Sequence, residues 1–188
     1  MAADLGIARD DRNELRAAFD RGLAADVFVL SGGVSVGEMD LTPSILREAG
    51  VTEVFHKIKL KPGKPLWFGV RDVAGRRTLE FWLPGNPVSS FVSFQWFVRA
   101  ALDRLGGGEG SALTRTPVIL DGEFKQLGDR ETFRPAQLVA AGDELRARLL
   151  AWEGSGDLAR LALADCLVRF PAGEQKFTSG DRVDAYRL

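Results

Sequence analysis

The chain is poor in the residues that carry redox, metal and nucleophilic chemistry. Its 188 residues include one cysteine, Cys166, and one histidine, His56. A single cysteine excludes an internal disulfide and a cysteine-rich zinc site. A single histidine with no nucleophile motif beside it leaves Ser-His-Asp chemistry without support. His56 reads as a packing or edge residue, since Phe55 and Lys57 flank it in a strand pattern. No apolar run reaches the length of a membrane span. The opening residues, Met1-Ala2-Ala3-Asp4-Leu5, have neither the basic nor the apolar region of a secretory signal. Neither sign of charge dominates, and a net charge of −1 gives no general attraction to nucleic acid or to a membrane. The expectation is a cytoplasmic protein without a nucleic-acid or membrane partner. Lysine is scarce too, with six against nineteen arginines, yet four of the six, Lys57, Lys59, Lys61 and Lys64, fall within eight residues.

What is present suits a globular protein. Hydrophobic residues make up 45% and charged residues 27% of the chain, and this length builds one ordinary domain or two small ones. Apolar spacing near 3.6 at Leu15, Ala18, Phe19 and Leu23 predicts a helix over 11–24. Val27–Leu30 is a short apolar run of the kind found in buried parallel strands. Thr42-Pro43 reads as an N-cap and N1 pair for a short helix that Gly50 ends. Alternation predicts a strand over 54–60, and the segments 66–70 and 78–83 read as a hairpin around Gly75. Asn86-Pro87 caps a long, mostly apolar helix to about Leu105 that should pack deeply. Beyond the glycine-rich linker 106–111 the character changes. Five short strand patterns separated by Gly, Asp and Pro turns predict a small antiparallel barrel or sandwich. Cys166 and the four tryptophans, Trp67, Trp82, Trp96 and Trp152, read as core.

Three loops stand out against this background. Ser31-Gly32-Gly33-Val34-Ser35-Val36-Gly37 follows a strand and offers backbone N–H groups and hydroxyls for an anion. It lacks the closing Gly-Lys-Ser/Thr of a Walker A loop and the spacing of a dinucleotide fingerprint. Asp40, close behind it, reads either as a Mg²⁺ ligand beside a phosphate or as a turn aspartate, with Glu38 the competing carboxylate. Lys61-Pro62-Gly63-Lys64-Pro65 concentrates ammonium charge. On a strand over 54–60 Lys57, Lys59 and Lys61 would share a face, which suits oxyanion binding or the protection of an edge strand. Leu83-Pro84-Gly85-Asn86-Pro87 opens a helix whose first N–H groups are free. Asn86 and Pro87 are explained by capping alone; Pro84-Gly85 is not.

Ser31–Asp40 (SGGVSVGEMD), Lys61–Pro65 (KPGKP) and Leu83–Ser89 (LPGNPVS) stand in the order and at similar spacing to motifs of the molybdopterin molybdotransferases, the MoeA and gephyrin E-domain family. The chain resembles the C-terminal half of these proteins. Glu131-Thr132-Phe133-Arg134 resembles the family's arginine segment. Gly154-Ser155-Gly156 and Leu163-Ala164-Asp165-Cys166 resemble its later barrel strands, with Asp165 where the family pattern has asparagine. The resemblance implies an α/β fold: a partial three-layer molybdopterin-binding domain over 1–111, truncated at its N-terminus, then a small all-β barrel-like domain over 112–188. It implies molybdenum cofactor biosynthesis, with molybdate inserted into adenylylated molybdopterin and AMP released in a Mg²⁺-dependent step. Asp40, Lys57 and Lys61 would then be catalytic and Asp40 the metal ligand. Gly32, Gly33, Ser35, Gly37, Lys64, Pro65, Pro84, Gly85, Asn86, Pro87, Ser89, Arg134 and Ser155 would line the substrate sites. A homodimer in the full-length context and a molybdopterin adenylyltransferase partner are implied as well. Family members are about twice as long, so the alternative is a molybdopterin-binding module without turnover, or a fragment that needs the absent N-terminal domains. A scaffolding role, known within the family, finds no suited tail here. The absent first strand would also leave Val27–Leu30 at an exposed edge.

Overall fold

The computed structural model describes residues 1–33, 41–110, 113–152, 154 and 156–188. Ser35, Gly37, Glu38, Asp40 and Ser155 therefore lie outside the described residues. The chain divides into two compact units, Met1–Ile58 with Pro65–Gly85, and Lys59–Lys64 with Asn86–Leu188.

The first unit is a helix–sheet layer pair. Helix α1 (Arg12–Gly22) starts at Asp11, whose carboxylate accepts from the N–H groups of Asn13 and Glu14. It buries Leu15 and Phe19 against β1 (Val27–Ser31). A Cβ at Gly22 would lie 2.2 Å from the Phe28 ring, so only glycine lets the helix sit this close to the strand. In α2 (Thr42–Glu48) Thr42 is the first helical residue and not the cap; Leu41 holds the cap position without a side-chain hydrogen bond. Pro43 is tolerated there because first-turn N–H groups have no intrahelical acceptor.

The expected strand over 54–60 is also displaced. Strand β2 (Val51–His56) ends early, after a register shift between Glu53 and Phe55. Lys57 then takes a left-handed φ of 66°, and its N–H donates to the Leu66 carbonyl at 2.9 Å. The lysines thus do not share one strand face; Lys61 belongs to a separate two-residue strand, β3 (Leu60–Lys61). Strands β4 (Trp67–Val73) and β5 (Arg76–Leu83) form the expected hairpin. Ala74 and Gly75 between them have φ of 53° and 77°, the paired left-handed conformation whose twist matches the flanking strands. The sheet order is β1-β5-β4-β2, with β1 parallel to β5 at an edge and Val29 39% exposed. Both helices cover one face, where Phe28, Trp67 and Trp82 meet Phe19, Ile45 and Leu46.

The second unit holds the long helix and a closed barrel. Asn86 caps α3 (Pro87–Ser93), a π-helical turn follows over Phe94–Val98, and α4 (Arg99–Leu105) ends the helix. The first two parts pack as expected; α4 buries nothing, and Leu102 and Leu105 are exposed. Beyond the linker come β6 (Arg115–Asp121), β7 (Phe124–Gln126), β8 (Glu131–Ala141) and β9 (Glu144–Leu149), then α5 (Leu158–Ala162), which the strand patterns did not predict. The last strands are β10 (Cys166–Phe170), β11 (Gln175–Phe177) and β12 (Arg182–Arg187). The ring runs β8-β9-β6-β12-β10 and closes from β10 back to β8, with β6–β9 its one parallel pair among the described residues. Closure removes the sheet edges. Ala136, Ala147 and Ala185 leave room inside for Leu120, Val168 and Phe170. Trp96 packs on the barrel wall, with ring centroids 4.6 Å from Tyr186 and 4.9 Å from Phe133. That packing, and the pairing of β3 with the start of β8, place the helix and the segment 59–64 with the barrel, although the sequence boundary was expected near 111.

Candidate functional site

In the first unit the glycine-rich loop and the Pro84-Gly85 segment meet because β1 and β5 are parallel neighbours, so both chains leave the same end of the sheet. The Gly32 N–H donates to the Leu83 carbonyl at 3.3 Å, and the Ser31 hydroxyl lies 3.5 Å from the Pro84 carbonyl. A Cβ at Gly85 would sit 3.2 Å from the Gly32 Cα, which explains glycine there by close approach. Gly32 and Gly33 have φ of 95° and 68°, conformations that L side chains rarely adopt. Beneath them the Trp82 indole N–H donates to the Gly32 carbonyl at 2.5 Å. Lys57 lies in this unit, exposed, with no ion pair among the described residues. Pro65 precedes Leu66, whose carbonyl the Lys57 N–H meets.

In the second unit β3 carries the lysine loop onto the barrel. Lys61 pairs with Thr132 of β8, and Arg134 stands two residues further along that strand, on the same face. Gly63 has φ of 121°, and a Cβ there would lie 2.9 Å from the Ser93 Oγ. Ser93 is fully buried, and its hydroxyl has no partner among the described residues. Lys61 and Lys64 are exposed and make no ion pair among the described residues, whereas Lys59 is paired with Asp129 at 3.3 Å on the open surface. Asn86 and Ser89 do the work of the helix cap: the Asn86 Oδ1 accepts from the Ser89 N–H at 3.2 Å and lies 3.4 Å from its hydroxyl. Pro87 occupies the first turn.

Arg134 is the charged group the barrel leaves incomplete. Its guanidinium carbon lies 5.4 Å from the Phe124 ring centroid and 5.0 Å from that of Trp152. One nitrogen donates to the Leu150 carbonyl at 3.4 Å; among the described residues the buried Nε has no partner, and neither has the Trp152 Nε1. No carboxylate among the described residues pairs with Arg134, and burial lowers its pKa from the ordinary value. Asp165 is structural: its carboxylate accepts from the Leu138 N–H at 2.9 Å. Cys166 is core, its thiol pKa pushed up to about 12 first by burial and then by Asp165. No three His, Cys, Asp or Glu residues cluster as a metal site among the described residues.

A family model described as "Probable molybdopterin binding domain" matches residues 2–104, and one described as "MoeA C-terminal region (domain IV)" matches residues 117–188. The chain belongs to the molybdopterin molybdotransferase family. Among curated relatives, the molybdopterin molybdenumtransferase of Synechocystis sp. is 32% identical over 156 residues, covering 82% of this chain and 36% of the relative. That of Nostoc sp. is 31% identical over 186 residues, covering 97% of this chain and 42% of the relative. The solved "molybdopterin biosynthesis moea protein from Pyrococcus horikosii" superposes with a TM-score of 0.74 at 31% identity, over 97% of this chain and 42% of that one. The chain thus spans less than half the length of these relatives.

For this molybdotransferase-family chain, three features of the loops were not legible in the residue pattern. Trp82 and Trp152 read as packing; the Trp82 indole N–H, given to Gly32, ties it to the loop, and the Trp152 ring, its own N–H unpartnered among the described residues, is tied to Arg134 by the guanidinium over it. Ser93 gave no signal beyond an apolar helix. Glu80, a charge at an alternating position of an apolar strand, was a visible anomaly. It is fully buried, neither oxygen has a hydrogen-bond partner among the described residues, and burial raises its pKa to about 8.

Proposed function

We propose that this chain contributes the anion-binding half of a site that inserts molybdate into adenylylated molybdopterin with release of AMP. The observation that carries this reading is Arg134. A half-buried guanidinium without a carboxylate is costly unless an anion completes it. The exposed Lys61 and Lys64, on the loop paired to the same strand, add charge of the same sign. Lys57 and the N–H groups of the glycine-rich loop serve the phosphate or dithiolene side of the pterin. Lys57 in the first unit and Lys61 in the second are the candidate catalytic cations, each of a charge suited to the negative charge that develops when an oxygen nucleophile attacks the phosphoanhydride and AMP leaves with the bonding electron pair. The remaining family positions, Ser35, Gly37, Lys64, Pro65, Pro84, Gly85, Asn86, Pro87, Ser89 and Ser155, shape the loops that receive the substrates.

Asp40 is the residue for Mg²⁺, which takes one or two carboxylates plus substrate oxygens; bound there, the ion would polarise the phosphoryl oxygens. The domain reading, a molybdopterin-binding part over 1–111 and a barrel part over 112–188, is part of the same proposal. A homodimer, a molybdopterin adenylyltransferase as donor of the adenylylated pterin, and a cytoplasmic location belong to the same proposal.

Calorimetric titration of molybdate into the chain and into its Arg134→Gln variant tests the anion site. Loss of at least tenfold in affinity is expected, and equal affinity would refute it. AMP release is then assayed in the full-length context with Asp40→Asn. Retained folding and pterin binding with abolished release is expected. Normal release would return Asp40 to a turn role and leave Glu38 as the carboxylate to test. Pterin binding without any AMP release by the unsubstituted protein would favour a binding module.

A further inference from the structure

The Gly32–Gly33 peptide is held from below by an indole. The Trp82 Nε1–H donates to the Gly32 carbonyl at 2.5 Å, and a Cβ at Gly33 would come within 3.7 Å of the same ring. A trans peptide points its carbonyl and its N–H in opposite directions. With the Gly32 carbonyl drawn down to Trp82, the Gly33 N–H is turned up and away from the core. The Gly32 N–H is already taken by the Leu83 carbonyl at 3.3 Å. Of these two amides, the Gly33 N–H is the one without a partner among the described residues, and so the one left to a ligand.

We propose that Trp82 is a positioning residue that aims the Gly33 N–H at a bound oxyanion group. The claim rests on the anion-binding reading above and deepens it. Trp82 itself touches no ligand; it sets the peptide plane of the loop. Trp67, directly opposite it across β4 and β5, belongs to the same buried cluster under the sheet.

Trp67 supplies a matched control. It is equally buried, and its indole N–H donates to Glu53 at 2.8 Å, on the same layer but away from the loop. Amide NMR of the chain is recorded with and without inorganic phosphate for the unsubstituted protein, Trp82→Phe and Trp67→Phe. Phosphate is expected to shift the Gly33 amide in the unsubstituted protein and in Trp67→Phe. In Trp82→Phe the shift should vanish and the affinity should fall about fivefold or more. A shifted Gly33 amide and unchanged affinity in Trp82→Phe would overturn the proposal. So would phosphate binding that moves other amides of the unsubstituted protein and leaves Gly33 still. Hydrogen exchange at Gly32 decides the positioning role without a ligand. Protection should drop at least tenfold in Trp82→Phe and hold in Trp67→Phe; equal protection in both refutes it. If phosphate moves no amide at all, the anion-binding reading of this loop fails, and the exchange result still judges Trp82. Should Phe not fold at this position, Trp82→Met fills the space flexibly and gives the same test.

Discussion

Glu80 should make the first unit less stable as pH rises, and the size of the effect can be worked from its surroundings. It lies on β5 opposite Phe28 and Gly69, on the face covered by α1 and α2. The neighbouring cation on that face, Arg71, directs its Nε to the Ala49 carbonyl instead. With no partner, the carboxyl keeps its proton in the folded chain up to a pKa of about 8, against an ordinary value of 4.5. Between these values the folded state holds a proton that the unfolded state has released, so stability falls with rising pH. At about 1.4 kcal/mol per unit, the loss approaches 5 kcal/mol above pH 8. Glu80→Gln keeps the shape and abolishes the ionisation. Urea unfolding of both proteins at pH 6.5, 7.5 and 8.5 is the assay. The variant should be the more stable by roughly 2–3 kcal/mol at the lowest pH and by about 2 kcal/mol more at the highest. A difference that does not change with pH, or an unsubstituted protein that is the more stable at pH 8.5, would show that the carboxylate is satisfied when ionised.

Other outcomes follow from the loops and the helix. Lys61→Ala with Lys64→Ala should weaken molybdate binding by about 2–4 kcal/mol, two charge-assisted contacts, with no change in melting temperature; unchanged titration curves would remove the loop from the site. Asn86→Ala should lower stability by about 1 kcal/mol, since the Ser89 N–H loses its acceptor, as chemical denaturation would read. Gly63→Ala meets both a positive φ and the Ser93 hydroxyl, so it should cost more than the cap. Trp96→Ala should cost about 3–5 kcal/mol by removing the ring that sits against Phe133 and Tyr186.

Local chemistry made much of this chain readable in one dimension. The 3.6 spacing of Leu15 and Phe19, the alternation of 67–83 around Gly75, and the turn-separated strands after 113 each state a period that only one kind of backbone satisfies. The helix at Asn86-Pro87 was readable because a cap and an N1 proline act within four residues. The loops that carry the family motifs were readable for a similar reason: glycine, proline and lysine at close spacing mark backbone conformation and charge before any folding. Tertiary structure decided the rest. Lys57, Lys59 and Lys61 share a face only if the strand continues, and the turn at Lys57 breaks it. Thr42 looked like a cap because capping residues are common at that offset, but it lies inside the helix as its first residue, with Leu41 in the cap position. The partners of Trp82, Trp152 and Arg134 lie between 10 and 50 residues away along the chain. Burial of a charge is likewise a property of what packs over it. Glu80 has an ordinary carboxylate in sequence, and only the helices that close over β5 turn it into one that keeps its proton.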